Sequence, residues 1–164
     1  MAITIGMGDF VYEYQADWAQ LPEGTSFQRP SAVAVDSNDR VYVFQRSGPP
    51  VQVFDRDGKF LTAWPREEGR FEDAHHIYIG PDDGVYLADR DAHQILKCST
   101  DGELLMTIGT PSQEGEKDGE PFRLPTDIGF DSEGHIYISD GYGNARVHKC
   151  SPAGQLIHSW GTAG

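Results

Sequence analysis

Short apolar runs separated by Asp- and Gly-rich turns set the rhythm of this chain. SAVAVDSNDRVYVF from Ser31, HHIYIGPDDGVYLA from His75 and TDIGFDSEGHIYIS from Thr126 align residue for residue, and each is followed by a second pair of runs: VQVFDRDGKFLTAW, ILKCSTDGELLMTI and VHKCSPAGQLIHSW. The runs are rich in Val, Ile, Tyr and Phe, too short for helices, and bounded by Asp, Gly, Asn or Pro, which is a strand pattern. Between the first and second strands lie Asp36–Asp39, Pro81–Gly84 and Asp131–Gly134; between the third and fourth lie Arg56–Gly58, Thr100–Gly102 and Pro152–Gly154. Asp and Asn bond their own backbone and Gly supplies positive φ, so these segments predict hairpin turns.

Each unit, Arg29–Trp64, Asp73–Gly109 and Leu124–Gly161, therefore predicts a four-stranded antiparallel meander, and Gly8–Tyr14 predicts one more strand before them. The tyrosines Tyr42, Tyr86 and Tyr137 stand 44 and 51 residues apart, a period that belongs to the blades of a β-propeller. The predicted fold is all-β, with an N-terminal strand and linker over 1–25 and blades over 26–70, 71–123 and 124–164. A blade has two apolar faces that neighbouring blades must cover, so one blade would not fold alone.

Composition narrows the class. With 38% hydrophobic residues, 19 Gly and 10 Pro in 164 residues, the chain reads as a turn-rich β protein. No apolar stretch is long enough to span a bilayer as a helix and the N-terminus does not read as a signal peptide. A net charge of −13 repels phosphate backbones and anionic lipid, so nucleic-acid and membrane partners are not expected. The acidic excess sits largely in turns and reads as solvated surface. The two cysteines, Cys98 and Cys150, fall at the position held by Phe54 in the first unit, late in the third strand. Equivalent sites on successive blades are too far apart for a disulfide, so both are expected to be small buried apolar residues, and a cytoplasmic location is the default expectation.

In a meander of this kind the starts of first strands and the loops from second to third strand share one face of the disc, and both Asp/Gly turns share the other. The first face carries Ser31, His75 and Thr126 at first-strand starts. It also carries Gln45, Arg46, Asp89, Arg90, His93, Asp140, Tyr142, Asn144 and Arg146 from the loops. Ligand chemistry is expected there.

The frame of a small residue, alternating Ile/Val, Asp, Gly and Val-Tyr-Val, followed by VQVFDRDGKF, resembles NHL-repeat β-propellers from Ser26 onward. Within that superfamily VYVFQR (Val41–Arg46), AHHI (Ala74–Ile77), PTDIGF (Pro125–Phe130) and SDGYGNARV (Ser139–Val147) look most like peptidyl-hydroxyglycine α-amidating lyase and its prokaryotic relatives. The resemblance implies a six-bladed ring, of which three blades are half. It also implies an axial zinc held by three histidines at first-strand starts of alternate blades. His75 matches that metal position, with Ala74 and His76 in place of the family's Pro and Gly, while Ser31 and Thr126 are not zinc ligands. Arg46 matches an arginine near the substrate carboxylate, Tyr142 a tyrosine proposed as base, and the carbonyls of Val33 and Ile77 fall near a calcium site.

On that resemblance the chemistry is cleavage of a carbinolamide into a peptide amide and glyoxylate. Zinc would polarise the substrate oxygen, tyrosine accept the hydroxyl proton and arginine hold the carboxylate. The residues themselves leave other readings open. His75 can be a loop-packing histidine, Tyr142 a cap on the axial opening, and Arg46 a structural clasp to Asp89 or Asp140. The remaining histidines, His76, His93, His135, His148 and His158, show no ligand spacing. A noncatalytic NHL propeller that binds a protein, peptide or small ligand on this face is the alternative, and an RNA-binding module is disfavoured by the net acidity. Half a ring leaves a bare sheet face at each end, so either the chain is a partial copy of a longer propeller or it self-associates through those faces. In a two-chain ring only two copies of His75 would be present.

Overall fold

The turns organise the architecture. Asp36 Oδ1 accepts the N–H groups of Asn38 and Arg40 at 3.0 and 2.9 Å, and Asp131 Oδ1 accepts those of Glu133 and His135 at 3.0 and 2.9 Å. At the second set of turns Asp55 Oδ1 accepts from Asp57 and Lys59, and the Ser99 and Ser151 hydroxyls take the same place. The αL position of these second turns is Gly58, Gly102 and Gly154, at φ +83°, +90° and +78°. In the first turn of the second unit the left-handed residue is Asp83 (φ 58°), not the neighbouring Gly84. Gly84 is small for another reason: a Cβ there would meet Lys97 Cε at 2.7 Å.

The computed structural model describes residues 3–67, 71–110 and 122–162. It is all-β in those residues, with no helix, and so no helix long and apolar enough to cross a membrane. An N-terminal hairpin, β1 (Ile3–Met7) and β2 (Phe10–Tyr14), precedes three four-stranded antiparallel sheets. The first holds β3 (Pro30–Val35), β4 (Val41–Gln45), β5 (Val51–Phe54) and β6 (Phe60–Ala63). The second holds β7 (Ala74–Ile79), β8 (Val85–Asp89), β9 (Gln94–Cys98) and β10 (Leu104–Gly109). The third holds β11 (Asp127–Phe130), β12 (Ile136–Asp140), β13 (Arg146–Cys150) and β14 (Leu156–Trp160). Each sheet is a meander in sequence order, the arrangement of a propeller blade. Residues 111–121 of the second unit lie outside the described residues.

The sequence predicts a single strand over Gly8–Tyr14; in the structure Gly8-Asp9 is the turn of a hairpin, and its other strand, β1, has no counterpart in the aligned units that would reveal it.

Two apolar layers join the sheets. Tyr42, Phe44, Val51, Val53 and Trp64 on one side of the first sheet pack against Ile77, Val85, Leu87, Leu96 and Cys98 of the second. Tyr86, Ala88, Ile95 and Ile108 on the far side of the second sheet then meet Ile128, Ile136, Ile138 and Cys150 of the third. The register places Phe54, Cys98 and Cys150 opposite Val41, Val85 and Ile136. Neither cysteine is in a disulfide and both are fully buried, as small apolar residues in the layers between blades.

The tyrosine at the heart of each blade reports the same logic. Tyr42 donates to Asp36 Oδ2 at 3.0 Å and Tyr137 to Asp131 Oδ2 at 3.1 Å. Gly80 replaces that aspartate in the second unit, and Lys97 Nζ sits 5.3 Å from the Tyr86 ring centroid instead. Asp131, Glu133 and His135 are close enough to suggest a cation site. The Asp131 carboxylate is already taken by His135, Tyr137 and Lys149, so this cluster is a turn clasp.

Candidate functional site

Three equivalent positions, one per sheet, converge on one cavity. Register shifts between Pro30 and Ala32 and between Ala74 and His76 make Ser31 and His75 the extra residues of β-bulges. Such bulges re-aim a side chain. Thr126 holds the corresponding place just before β11, with its N–H donating to Ser139 O at 2.8 Å. These residues line a cavity of about 590 Å3 together with Asp127, Ser139 and Tyr142.

The two hydroxyls turn back onto their own sheets: Ser31 Oγ donates to Phe44 O at 3.1 Å and Thr126 Oγ1 to Ser139 O at 3.2 Å. The imidazole reaches across instead, and His75 Nδ1 lies 2.8 Å from Thr126 O on the next blade. A carbonyl only accepts, so Nδ1 carries a hydrogen, and in the neutral ring Nε2 is the acceptor. The rings of His75 and Tyr142 stand edge to face with centroids 5.7 Å apart, and Tyr142 is 66% exposed at the cavity mouth. His76 Nε2, beside them, is 3.0 Å from Asp127 Oδ1.

Arg46 is close to this group but is not part of the cavity lining. Its Nε is 3.3 Å from Asp73 Oδ1 and donates to Ala74 O at 3.2 Å. Arg90, at the repeat-equivalent place after the second strand, approaches the other oxygen of Asp73 at 3.2 Å and lies 5.9 Å from the Tyr142 ring centroid. Asp73 thus links two equivalent arginines from adjacent blades. It does not stand out in the sequence, because its repeat counterparts, Arg29 and Leu124, carry no carboxylate.

Asp89 and Asp140, expected as free carboxylates on this face or as partners of Arg46, are instead fully buried. Asp89 accepts the N–H groups of Glu72 and Asp73 at 2.8 Å each, and Asp140 accepts Arg123 N–H at 3.0 Å and Asn144 Nδ2 at 2.5 Å. Gln45, at the same place in the first sheet, accepts Gln28 N–H at 2.8 Å. All three pin the segment that enters the first strand of their blade, and Gln45 and Asn144 are likewise buried rather than presented to ligand. Burial pushes the Asp89 carboxyl above its ordinary value, although the N–H groups of Asp73, Glu72 and Ala92 work the other way. His93 also serves the backbone, its Nδ1 accepting Leu124 N–H at 3.1 Å.

The donor set in the cavity falls short of a zinc site. Zinc centres use three or four His, Cys or carboxylate ligands. Here one imidazole has a free acceptor nitrogen, the hydroxyls of Ser31 and Thr126 are committed to carbonyls, and His76 faces Asp127.

Residues 122–150, spanning β11 to β13, match the model of the NHL repeat. The chain carries an NHL repeat. This NHL-repeat chain is similar to human NHL repeat-containing protein 3, 33% identical over 157 residues that make up 86% of this chain and 43% of that protein. It is also similar to peptidyl-alpha-hydroxyglycine alpha-amidating lyase 1 of Drosophila melanogaster, 37% identical over 90 residues, 53% of this chain and 16% of the relative. Among solved structures it shares its fold with virginiamycin B lyase of Staphylococcus aureus at a TM-score of 0.64, with 17% identity over 84% of this chain and 42% of that one. The NHL-repeat chain therefore spans less than half the length of each of these proteins.

Proposed function

We propose that this chain belongs to a peptidylamidoglycolate-lyase-like NHL propeller of six-bladed type, and that its cavity at the first-strand starts binds a small or peptide ligand carrying a carboxylate. The observation that carries this reading is the meeting of His75 and Tyr142, 5.7 Å apart, in one cavity. Similarity to the Drosophila amidating lyase supports it.

In such a reaction the substrate hydroxyl loses its proton as its oxygen becomes the carbonyl of glyoxylate. The C–N bond breaks, and the amide nitrogen regains a proton. Tyr142 stands at the cavity mouth, where its oxygen, as the phenolate, would take the hydroxyl proton. His75, held by Thr126 O, presents Nε2 as an acceptor toward the same space. Arg46, and Arg90 beside Tyr142, are the arginines nearest the cavity to attract the carboxylate, in competition with Asp73, which engages both, and Asp91, which also pairs with Arg90. Zinc enters this proposal only through His75 as one ligand, because His76 and Asp127, which also line the cavity, pair with each other, and no step is derived through a metal. Calcium at the carbonyls of Val33 and Ile77 remains part of the same expectation.

The experiment is incubation of the chain with an α-hydroxyglycine peptide, with glyoxylate release and peptide binding measured separately. Release that is abolished by Tyr142→Phe and by His75→Ala supports the lyase reading. Binding without release supports the second reading, a noncatalytic ligand-binding face. That reading is favoured by one observation: Asp73 already engages both Arg46 and Arg90.

A further inference from the structure

Tyr142 is 66% exposed, and its ring meets the His75 ring and the Arg90 guanidinium. A side chain so little packed takes its place from the backbone on either side of it. That backbone is held at both ends by one carboxylate. Asp140, two residues before Tyr142, accepts from Asn144 Nδ2, two residues after it, at 2.5 Å, and both Asp140 oxygens lie 3.0 Å from the Arg123 amide nitrogen. Gly143 N–H donates back to Arg123 O at 3.1 Å, and a Cβ on Gly143 would meet that oxygen at 2.4 Å. The loop is therefore pressed against the segment that leads into β11.

Behind this carboxylate stands a histidine that the cavity never touches. His148 and Asp140 are both fully buried; His148 Nε2 is 3.2 Å from Asp140 Oδ2, and its Nδ1 is 2.7 Å from Ser159 Oγ on β14. The Phe122 ring covers the imidazole, with centroids 5.1 Å apart. A carboxylate accepts, so Nε2 carries a hydrogen, and in the neutral ring Nδ1 accepts the Ser159 hydroxyl. The sister blades are built without this chain of bonds. Gln52 and Leu96 hold the register position of His148, and Ala63 and Thr107 that of Ser159. Packing a blade thus does not call for histidine here. What differs is the carboxylate it serves: backbone amides of Glu72 and Asp73 hold Asp89, whereas at Asp140 a side-chain amide and the imidazole join the Arg123 N–H.

We infer that His148 is a positioning residue for the cavity: through Asp140 and Asn144 it fixes the loop that sets Tyr142 against His75. The inference rests on the reading of Tyr142 as a group that serves the cavity. Losing the Nε2 hydrogen takes one donor from a buried carboxylate, which is costly unless its surroundings move. The partner with most freedom to move is Asn144, and the loop carrying Tyr142 moves with it.

The test replaces His148 by residues that keep one of its nitrogens or neither. A glutamine amide nitrogen falls where Nε2 stands and an asparagine amide nitrogen where Nδ1 stands. His148→Gln therefore keeps the donor to Asp140, His148→Asn keeps the Ser159 side alone, and His148→Leu, the residue of the second blade, keeps neither. Amide exchange at Gly143 and the nuclear Overhauser effect between the His75 and Tyr142 rings read the loop without substrate, and circular dichroism checks strand content. In His148→Leu and His148→Asn, Gly143 exchange should quicken on the order of ten- to a hundred-fold, as for a lost hydrogen bond to a charged group, and the ring contact should vanish. His148→Gln should stay near the parent, and the Asp73 amide, held by Asp89, should exchange alike in all of them. Glyoxylate release from an α-hydroxyglycine peptide should fall in kcat with KM little changed, in the same two variants. A parent that releases none counts against the lyase reading alone, since exchange and ring contact still decide the role of His148. His148→Leu with the exchange and ring contact of the parent overturns the inference, and so does His148→Gln as loose as His148→Leu. If His148→Leu does not fold, Ser159→Ala probes the far end of the chain of bonds: faster Gly143 exchange supports the inference and unchanged exchange overturns it.

Discussion

His75 Nδ1 of the second blade lies 2.8 Å from the carbonyl oxygen of Thr126 at the start of the third. The contact orients the imidazole and ties two blades together at the axis. Nitrogen-15 shifts of the ring at neutral pH should show the hydrogen on Nδ1 and a lone pair on Nε2. His75→Asn should lower the stability of the third blade by about 1 kcal/mol, a typical net hydrogen bond. A ring protonated on Nε2 instead would contradict the geometry.

Acid should loosen the first-strand turns. Burial by itself would raise the Asp36 carboxyl, but the Arg40 N–H, the Arg40 guanidinium, the Tyr42 hydroxyl and the Asn38 N–H outweigh it and hold Asp36 below its ordinary 3.8. Asp131 is lowered in the same way by His135, Tyr137 and Glu133. A lowered carboxyl binds fewer protons folded than unfolded, so its stabilisation is present above pH 3.8 and is lost as the pH falls below it. Tyr42, raised above 10.0 by burial and by Asp36, adds stability that is lost as the pH rises past 10. Melting temperature against pH should fall on both limbs, and Asp36→Asn should flatten the acid limb.

The pins at the ends of the second strands should matter more than their distance from the cavity suggests. Asp89→Asn replaces one of two acceptors with an N–H donor facing the Glu72 and Asp73 amides. A loss of about 2 kcal/mol is expected, hydrogen bonds to charged groups contributing about 1.5–3 kcal/mol. Urea denaturation measures it, and an unchanged midpoint would show the lead-in to β7 held by other contacts.

Cys98 and Cys150 should resist thiol reagents until the blades separate. Both are fully buried at blade interfaces, so titration with an aromatic disulfide should find about two thiols only in denaturant. Fast reaction of either in buffer would mean the layers open readily.

Much of this protein could be read from its residues because a blade is specified locally. Alternating apolar positions set which side chains share a face, and turn residues set the hairpins, so the three sheets and the buried places of Cys98 and Cys150 were legible from aligned repeats. Convergence was not. The bulges at Ser31 and His75, the bond from His75 to Thr126, the burial of Asp89 and Asp140 as backbone pins, and the capture of Arg46 and Arg90 by Asp73 all depend on how one blade is set beside the next. Sequence by itself determined the blade, through period, turn chemistry and apolar spacing. Only the tertiary structure decided which polar groups remain free at the axis, because that follows from contacts between segments far apart in the chain, which no local pattern encodes.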